Sequence, residues 1–368
     1  MSRIRDFVRQ ELTLCVAFLA ALVSCFIVPP DAEYIGYLDL RTLALLYCLM
    51  VVVAGLRTAG LFTLLAHKLC EKTKTVRAMG ITLTALSFVS SMLITNDVAL
   101  LTFVPFAVVV LSMAHQEKEL IWVVVLQTVA ANLGSVLTPV GNPQNLYLYS
   151  RYDMTVGEFF SATLPLWGLA LVLVLLLCLR LPKGGIKVFL GEEPELDRKM
   201  LWLYLALFVL CLLVVLRVIK WQIMLLILAA VLLILDRARL KSADFMLLLS
   251  FVCFFVFAGN LARIESVAAL IRGFLSGHEM LTGALVSQVI SNVPAALLLS
   301  GFTENGKALL LGVNIGGLGT PVASLASLIS LKFYSHSEYA DMGKYMKTFL
   351  LVNVVLLVFL LILFSAVQ

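Results

Sequence analysis

One polar tripeptide, Thr95-Asn96-Asp97, interrupts a long apolar stretch of this 368-residue chain. Its apolar arms run over residues 81–94 and 98–110, and neither reaches the roughly 20 residues that a membrane-spanning helix needs. The pattern predicts a re-entrant hairpin whose tip stops near the middle of a membrane. Because a carboxylate at that depth costs about 2.5–3.5 kcal/mol, Asp97 is expected to face a cavity, an ion or a partner. We therefore predict that Asp97 lies in the transport site of a secondary transporter.

A second tripeptide, Ser291-Asn292-Val293, joins another pair of short apolar arms, over residues 280–290 and 294–302. Each pair of arms is followed by an apolar helix that glycine, proline and amide residues interrupt, at 132–145 and at 314–324. A broken helix is tolerated in a membrane only where its freed backbone lines a cavity. Its carbonyl groups suit a hard cation such as Na⁺, and its helix N-termini suit an anion.

The composition is that of an integral membrane protein, since 62% of the residues are hydrophobic, 13% are charged and the mean hydropathy is +1.05. Soluble proteins carry about 25% charged residues. Long apolar runs without alternating segments favour an all-α membrane protein over a barrel. We predict about nine full spans, two of them broken, at residues 12–28, 40–56, 120–150, 158–181, 200–216, 221–235, 245–261, 307–333 and 346–366.

The charges between the spans predict the orientation of the chain. With the N-terminus in the cytoplasm, 20 of the 27 lysines and arginines lie in cytoplasmic segments, which places the C-terminus outside. This distribution accounts for the net charge of +5, so lipid and a small molecule, and no nucleic acid, are the expected partners. The sequence has no nucleotide fingerprint, catalytic triad or metal motif, and we predict neither an enzyme nor a cofactor.

The order of hairpin and broken helix occurs twice, which divides the chain into four parts. Corresponding spans of the two halves cross in opposite directions, as expected for an inverted repeat. The predicted parts are a basic segment with the first span (1–34), a first repeat (35–181, with hairpin 78–114 and broken helix 120–150), a loop with two linking spans (182–241) and a second repeat (242–368, with hairpin 279–302 and broken helix 307–333).

Two registers align the breaks of the two halves. The preferred one pairs Gly141-Asn142-Pro143 with Gly319-Thr320-Pro321. The other pairs Thr138-Pro139-Val140 with Thr320-Pro321-Val322. Both cannot hold, and they assign different residues to the site.

The sequence resembles the ion transporter superfamily, over residues 35–364. This superfamily includes divalent-anion/sodium symporters, citrate-transporter-like permeases, arsenite/antimonite permeases and some Na⁺/H⁺ antiporters; the stretches 141–145 and 314–321 are most similar to the citrate-transporter-like anion permeases. The resemblance implies a homodimer in the cell membrane, as in a bacterial inner membrane, with an elevator-type transport domain. It also implies substrate and ion contacts at Thr95, Asn96, Asp97, Gly141, Asn142, Pro143, Ser291, Asn292, Val293, Gly319, Thr320 and Pro321.

The tips depart from the dicarboxylate symporters, in which both tips read Ser-Asn-Thr. Asp97 and Val293 replace the two threonines, and the Asn-Asp pair is similar to that of the arsenite permeases. We expect transport of a small anion, such as citrate or a dicarboxylate, coupled to Na⁺ or H⁺, with Na⁺ at Asn96, Asp97 and Asn292. The alternative is arsenite or antimonite efflux, or Na⁺/H⁺ exchange, through Asp97.

Several of these residues also have simpler interpretations. Asp97 is a favoured helix N-cap, and the tip asparagines suit turns. Asn132 and Asn314 are equally well explained as partners for broken backbone. Three further amides, Gln127, Asn260 and Gln288, are predicted to form interhelical hydrogen bonds. Four aromatic residues near span ends are predicted to anchor the chain at the membrane interface, namely Tyr147, Tyr149, Trp167 and Trp221.

Overall fold

A computed structural model describes residues 11–186 and 192–366 of the chain, and these residues fold into helices with one isolated β-bridge, between Thr75 and Gly185. The helices in chain order are α1 (Leu12–Ile27), α2 (Tyr34–Tyr37), α3 (Leu40–Thr58), α4 (Leu61–Glu71), α5 (Val76–Ile94), α6 (Asn96–Met113), α7 (Glu117–Gly134), α8 (Pro143–Arg151), α9 (Val156–Cys178), α10 (Arg198–Val215), α11 (Trp221–Leu235), α12 (Phe245–Arg263), α13 (Glu265–Leu275), α14 (Glu279–Ile290), α15 (Asn292–Leu299), α16 (Gly306–Ile315), α17 (Leu325–Ser335) and α18 (Met342–Ser365).

The predicted spans are all helical, so the all-α membrane fold is confirmed. Eight helices in the described ranges are long and apolar enough to cross a membrane individually, namely α3, α5, α6, α7, α9, α10, α12 and α18. The first broken helix consists of α7 and α8, and the second consists of α16 and α17. The long helices begin where the sequence supplies an N-cap, since Asp39, Asp244 and Asp341 each accept a backbone N–H in the first turn of α3, α12 and α18.

The arms of the first hairpin are longer than predicted. α5 has 19 residues and α6 has 18, and each is long and apolar enough to cross a membrane, so the prediction that both arms fall short of a span is wrong. The Thr75 side chain accepts a hydrogen bond from the Ala78 amide and starts α5 earlier than the apolar pattern indicates. At the tip, Thr95 is the single non-helical residue, because Asn96 and Asp97 already belong to α6.

The helices pack around two apolar cores. The first is formed mainly by α1, α3, α10, α11 and α12, and the second by α5, α6, α7, α9 and α18. α7 lies at the centre of the second core, in contact with both arms of the first hairpin, with α9 and with α17. The first hairpin tip and the end of α7 are thereby held next to the second broken helix.

The two halves share local backbone structure, and it favours the second of the two registers. A 3₁₀ turn occupies Pro139–Gly141 in one half and Pro321–Ala323 in the other. The hydroxyl of Thr138 donates to the carbonyl of Met92, and that of Thr320 donates to the carbonyl of Gln288 at 3.0 Å. Thr138 therefore corresponds to Thr320.

The preferred pairing of Gly141-Asn142-Pro143 with Gly319-Thr320-Pro321 is wrong. The two stretches share glycine and proline at the same spacing but have different backbone conformations. Pro321 begins the 3₁₀ turn, whereas Pro143 begins an α-helix. The structural counterparts of Gly141, Asn142 and Pro143 are instead Ala323, Ser324 and Leu325, and Ser324 shares the extended backbone of Asn142.

Candidate functional site

Both hairpin tips contain one residue with a strained backbone. Thr95 has φ 68° and ψ 150°, and Ser291 has φ 76° and ψ 155°. This region is essentially restricted to glycine, and a residue held there costs about 1–3 kcal/mol. Such strain persists only where the surrounding structure imposes it, and it concentrates at functional sites. The matched strain at the two tips therefore marks them as related parts of one site.

Replacing Thr95 by glycine is expected to stabilise the protein. Relief of strain of about 1–3 kcal/mol exceeds the flexibility cost of glycine, about 0.5–1 kcal/mol, so Thr95→Gly should raise the free energy of unfolding by about 1 kcal/mol. Thr102→Gly, inside α6, is the matched control and should lower it by about 0.5 kcal/mol. Thermal unfolding in detergent measures both. Equal losses in the two variants would contradict the strain at the tip.

Asn132, at the end of α7, links the first tip to the second broken helix. Its Oδ1 accepts hydrogen bonds from the Asn96 side chain and the Ser324 hydroxyl, both at 2.9 Å. Its Nδ2 donates to the Gly317 carbonyl at 3.2 Å and lies 3.5 Å from the Ser327 hydroxyl. Asn132 is thus more than a partner for its own broken backbone, because three of these four contacts cross between the halves.

Asn314, the counterpart of Asn132, makes the reciprocal link with fewer partners. Its Nδ2 donates to Asn145 Oδ1 at 2.7 Å, and Asn145 in turn holds the carbonyls of Ser135 and Thr138. Asn314 Oδ1 is buried and has no hydrogen-bond partner within the described ranges, and the same is true of Asn142 Oδ1. Two buried amide oxygens are therefore left with free lone pairs near the first break.

Gln288 fixes the second break, which confirms its predicted interhelical role. Its Nε2 donates to the carbonyls of Gly316 and Leu318 at 2.9 and 3.0 Å, and its Oε1 accepts from the Thr320 amide at 2.9 Å. Gln127 and Asn260 also bond across helices, to Phe103 and to Tyr34 respectively. These three amides are structural, because each forms hydrogen bonds with backbone or hydroxyl groups for which lipid offers no partner.

Four helices begin at one central cavity. This cavity has a wider part of about 400 Å³ and a narrower part of about 170 Å³, which share a wall that includes Asp97, Pro143 and Leu325. α6, α8, α15 and α17 present their N-terminal turns to it, and none of the four has a side-chain cap among the described residues. Each helix N-terminus carries about +0.5 of an elementary charge, so together they favour an anion.

The charged residues of the cavity are unequally placed. Asp97 and Asp244 line both parts, and Asp244 also accepts a hydrogen bond from the Leu247 amide. Arg57 and Arg239 line the wider part only, and Glu11 lines the narrower part only. The sequence contains a signal for Asp244, which directly precedes α12 in the second repeat as Asp39 precedes α3 in the first, but Asp244 is not among the predicted site residues.

The structure brings half of the predicted site residues to this cavity. Those that line it are Thr95, Asp97, Asn142, Pro143, Ser291 and Val293. Those that do not line it are Asn96, Gly141, Asn292, Gly319, Thr320 and Pro321. Of these, Asn96 holds the Asp97 amide at 2.9 Å, and Gly141 lies so close to the Ser135 carbonyl that no side chain would fit. Ser324 and Leu325 are the residues that the preferred register missed.

The family model described as "Citrate transporter" matches residues 7–305 of the chain. The chain belongs to this citrate transporter family. It is 35% identical, over 82% of both chains, to an uncharacterized transporter of Methanocaldococcus jannaschii. It is 30% identical, over 84% of both chains, to the inner membrane protein YbiR of Escherichia coli. Its fold is similar to that of the YdaH transporter of Alcanivorax borkumensis, with a TM-score of 0.61 and 13% identity over 98% of this chain and 97% of that one.

Membership of the citrate transporter family identifies the chain as a multi-pass membrane transporter and not an enzyme. It also agrees with the central cavity, which has a volume in the range of small-molecule sites, about 300–1,000 Å³. The superfamily resemblance read from the hairpin tips and the broken helices is confirmed.

Proposed function

We propose that this protein is a secondary transporter of a small anion, such as citrate or a dicarboxylate, driven by Na⁺ or H⁺. The observation that carries this proposal is the convergence of four uncapped helix N-termini on one cavity. Their combined partial charge, about +2, would compensate a carboxylate-bearing substrate, and Arg57 and Arg239 add positive charge in the wider part of the cavity. An anion would bind between the two tips, near Thr95 and Ser291.

Asp97 is the proposed coupling group. Its carboxylate lines the cavity beside the helix N-termini, so an anion binds better there once a cation or proton neutralises it. For Na⁺, the free Oδ1 atoms of Asn142 and Asn314 are the further oxygen ligands that we propose. Asn96 and Asn292 then position the tips, although the tip asparagines themselves were the ligands expected from the sequence.

A second candidate follows from the pair of carboxylates. Asp97 and Asp244 face the same cavity, and when both are ionised they disfavour a multiply charged anion. Arsenite or antimonite efflux, with a neutral or weakly charged substrate, avoids this repulsion. Exchange of Na⁺ for H⁺ at Asp97 also avoids it, because both transported ions are cations.

The transport cycle that we propose depends on the two repeats exchanging conformations. An inverted repeat supports alternating access, and we propose an elevator-type movement within a homodimer. With the N-terminus in the cytoplasm, the wider part of the cavity, with Arg57 and Arg239, faces the cytoplasm.

Uptake into liposomes tests the proposed function. Purified protein should accumulate citrate or a dicarboxylate under an imposed Na⁺ or pH gradient, and protein-free liposomes should not. Separate Na⁺ and pH gradients identify the coupling ion. Gradient-driven movement of arsenite or Na⁺, without any carboxylate uptake, would overturn the first candidate in favour of the second.

A further inference from the structure

A second cavity, of about 560 Å³, lies outside the central one. Asp39 and Arg151 line it, together with the C-terminal part of α12. α8 connects the two cavities, since Pro143 at its start lines the central cavity and Arg151 at its end lines the second. Leu297 lines both the second cavity and the narrower part of the central one, so the wall between them is thin.

Leu297 is the residue of this wall that lines both cavities, and Tyr147 and Phe255 line its side toward the second cavity. We call these three buried side chains the closing layer. The rings of Tyr147 and Phe255 lie 5.5 Å apart, and the Tyr147 hydroxyl is 2.8 Å from that of Ser300. Tyr147 is only 5% exposed and Tyr149 2%, so their predicted place at the membrane interface is wrong. Their hydroxyl and ring contacts bury them inside the protein.

The register of the two halves gives each residue of the closing layer a counterpart. Tyr147 is four residues after the start of α8, as Ile329 is after the start of α17. Leu297 follows the strained Ser291 by six residues, as Leu101 follows Thr95. The third pair is Phe255 and Met50, eleven residues after the capping residues Asp244 and Asp39.

The counterparts Met50, Leu101 and Ile329 do not form a wall. All three are half-buried and line the wider part of the central cavity. The helix packing differs in the same way. α12 packs along α15, whereas their counterparts α3 and α6 barely touch. The wider part of the central cavity lies between α3 and α6. One half is closed at the position where the other half is open.

We propose that the second cavity is the opposite entrance to the same transport site, shut in this structure by the closing layer. In the opposite state Met50, Leu101 and Ile329 come together and shut the first entrance, while Tyr147, Phe255 and Leu297 separate. The second cavity presents Arg151 and Arg263 to an entering anion, together with the carboxylate of Asp39. This inference rests on the alternating access of the proposed function.

Labelling of a cysteine behind the wall tests the entrance without any transported substrate. In a Val293→Cys protein, whose substituted residue lines the central cavity and not the second one, a membrane-impermeant thiol reagent applied from the second face should react slowly. Adding Phe255→Ala thins the wall and should raise that rate at least tenfold, whereas the matched Met50→Ala should leave it unchanged. The wild-type chain gives the background of the native cysteines. Equal rates in the two double variants would overturn the proposal.

Cross-linking tests whether both layers must open. A bifunctional methanethiosulfonate, which forms a disulfide with each thiol and releases methanesulfinate, should join Tyr147→Cys to Phe255→Cys and stop transport, and a reductant should restore it. The matched pair, Met50→Cys with Ile329→Cys, should also stop transport, but only after incubation under a driving gradient. Unchanged transport after complete cross-linking of either pair would overturn the two-layer arrangement. If the labelling result holds while no anion is transported, the proposed substrate is wrong and the entrance stands.

Discussion

Asp97→Asn is expected to abolish or uncouple cation-dependent transport while the protein still folds. Asparagine keeps the shape of the side chain, and Asp97 does not cap α6 in the structure, so α6 should form normally. It removes the negative charge at the cavity wall, and a contact with a charged group is worth about 1.5–3 kcal/mol, or roughly 10- to 150-fold in cation affinity. Uptake measured as a function of Na⁺ and of pH should therefore lose its cation dependence.

Asp341→Asn provides the control for this variant. Asp341 is likewise an aspartate at the start of an apolar helix, where it caps α18, but it lines neither part of the central cavity. Its substitution should leave the cation dependence intact. Wild-type coupling in Asp97→Asn, with normal folding, would exclude Asp97 as the coupling group and direct attention to Asp244.

The sequence was sufficient for the fold because membrane helices are local in origin. Apolar length and polar interruptions predicted each span, and the two tripeptides predicted both tips, since a single non-helical residue suffices to reverse the chain there. The helix ends were predicted less well than the spans, because the Thr75 cap starts α5 before the apolar residues begin. The helix ends therefore required the structure.

The site could be predicted only in part, because its partners are distant in the chain. Nothing local in Asn132 indicates that it bonds Ser324, almost two hundred residues later. The matching Gly-x-Pro residues favoured the register that pairs Gly141 with Gly319. The equivalent hydrogen bonds of Thr138 and Thr320 instead support the register that pairs these two threonines. Asp244 entered the site through the packing of α12, which periodicity does not specify.

Asn132→Ala is expected to have the largest effect on stability among the buried amides. It removes the bonds to Asn96, Ser324 and Gly317, and at about 0.6 kcal/mol for each bond within a membrane the total loss is about 2 kcal/mol. The first tip also loses the contact that orients it toward the second break. Because small misplacements of positioning groups are costly, transport should fall at least about tenfold.

Asn314→Ala separates positioning from ion binding, because its Nδ2 bonds only Asn145 and its own helix while its Oδ1 is free. It should cost about 1 kcal/mol or less, yet raise the half-saturating Na⁺ concentration if the free oxygen binds the ion. Asn353→Ala, whose amide bonds only the Phe349 carbonyl of its own helix, controls for removing a buried amide. If Asn314→Ala leaves the half-saturating Na⁺ concentration unchanged, as we expect for Asn353→Ala, then Asn314 does not bind the ion and Asp97 is the one cation-binding group that the two halves share. The tips would then differ in ion binding as they differ in sequence.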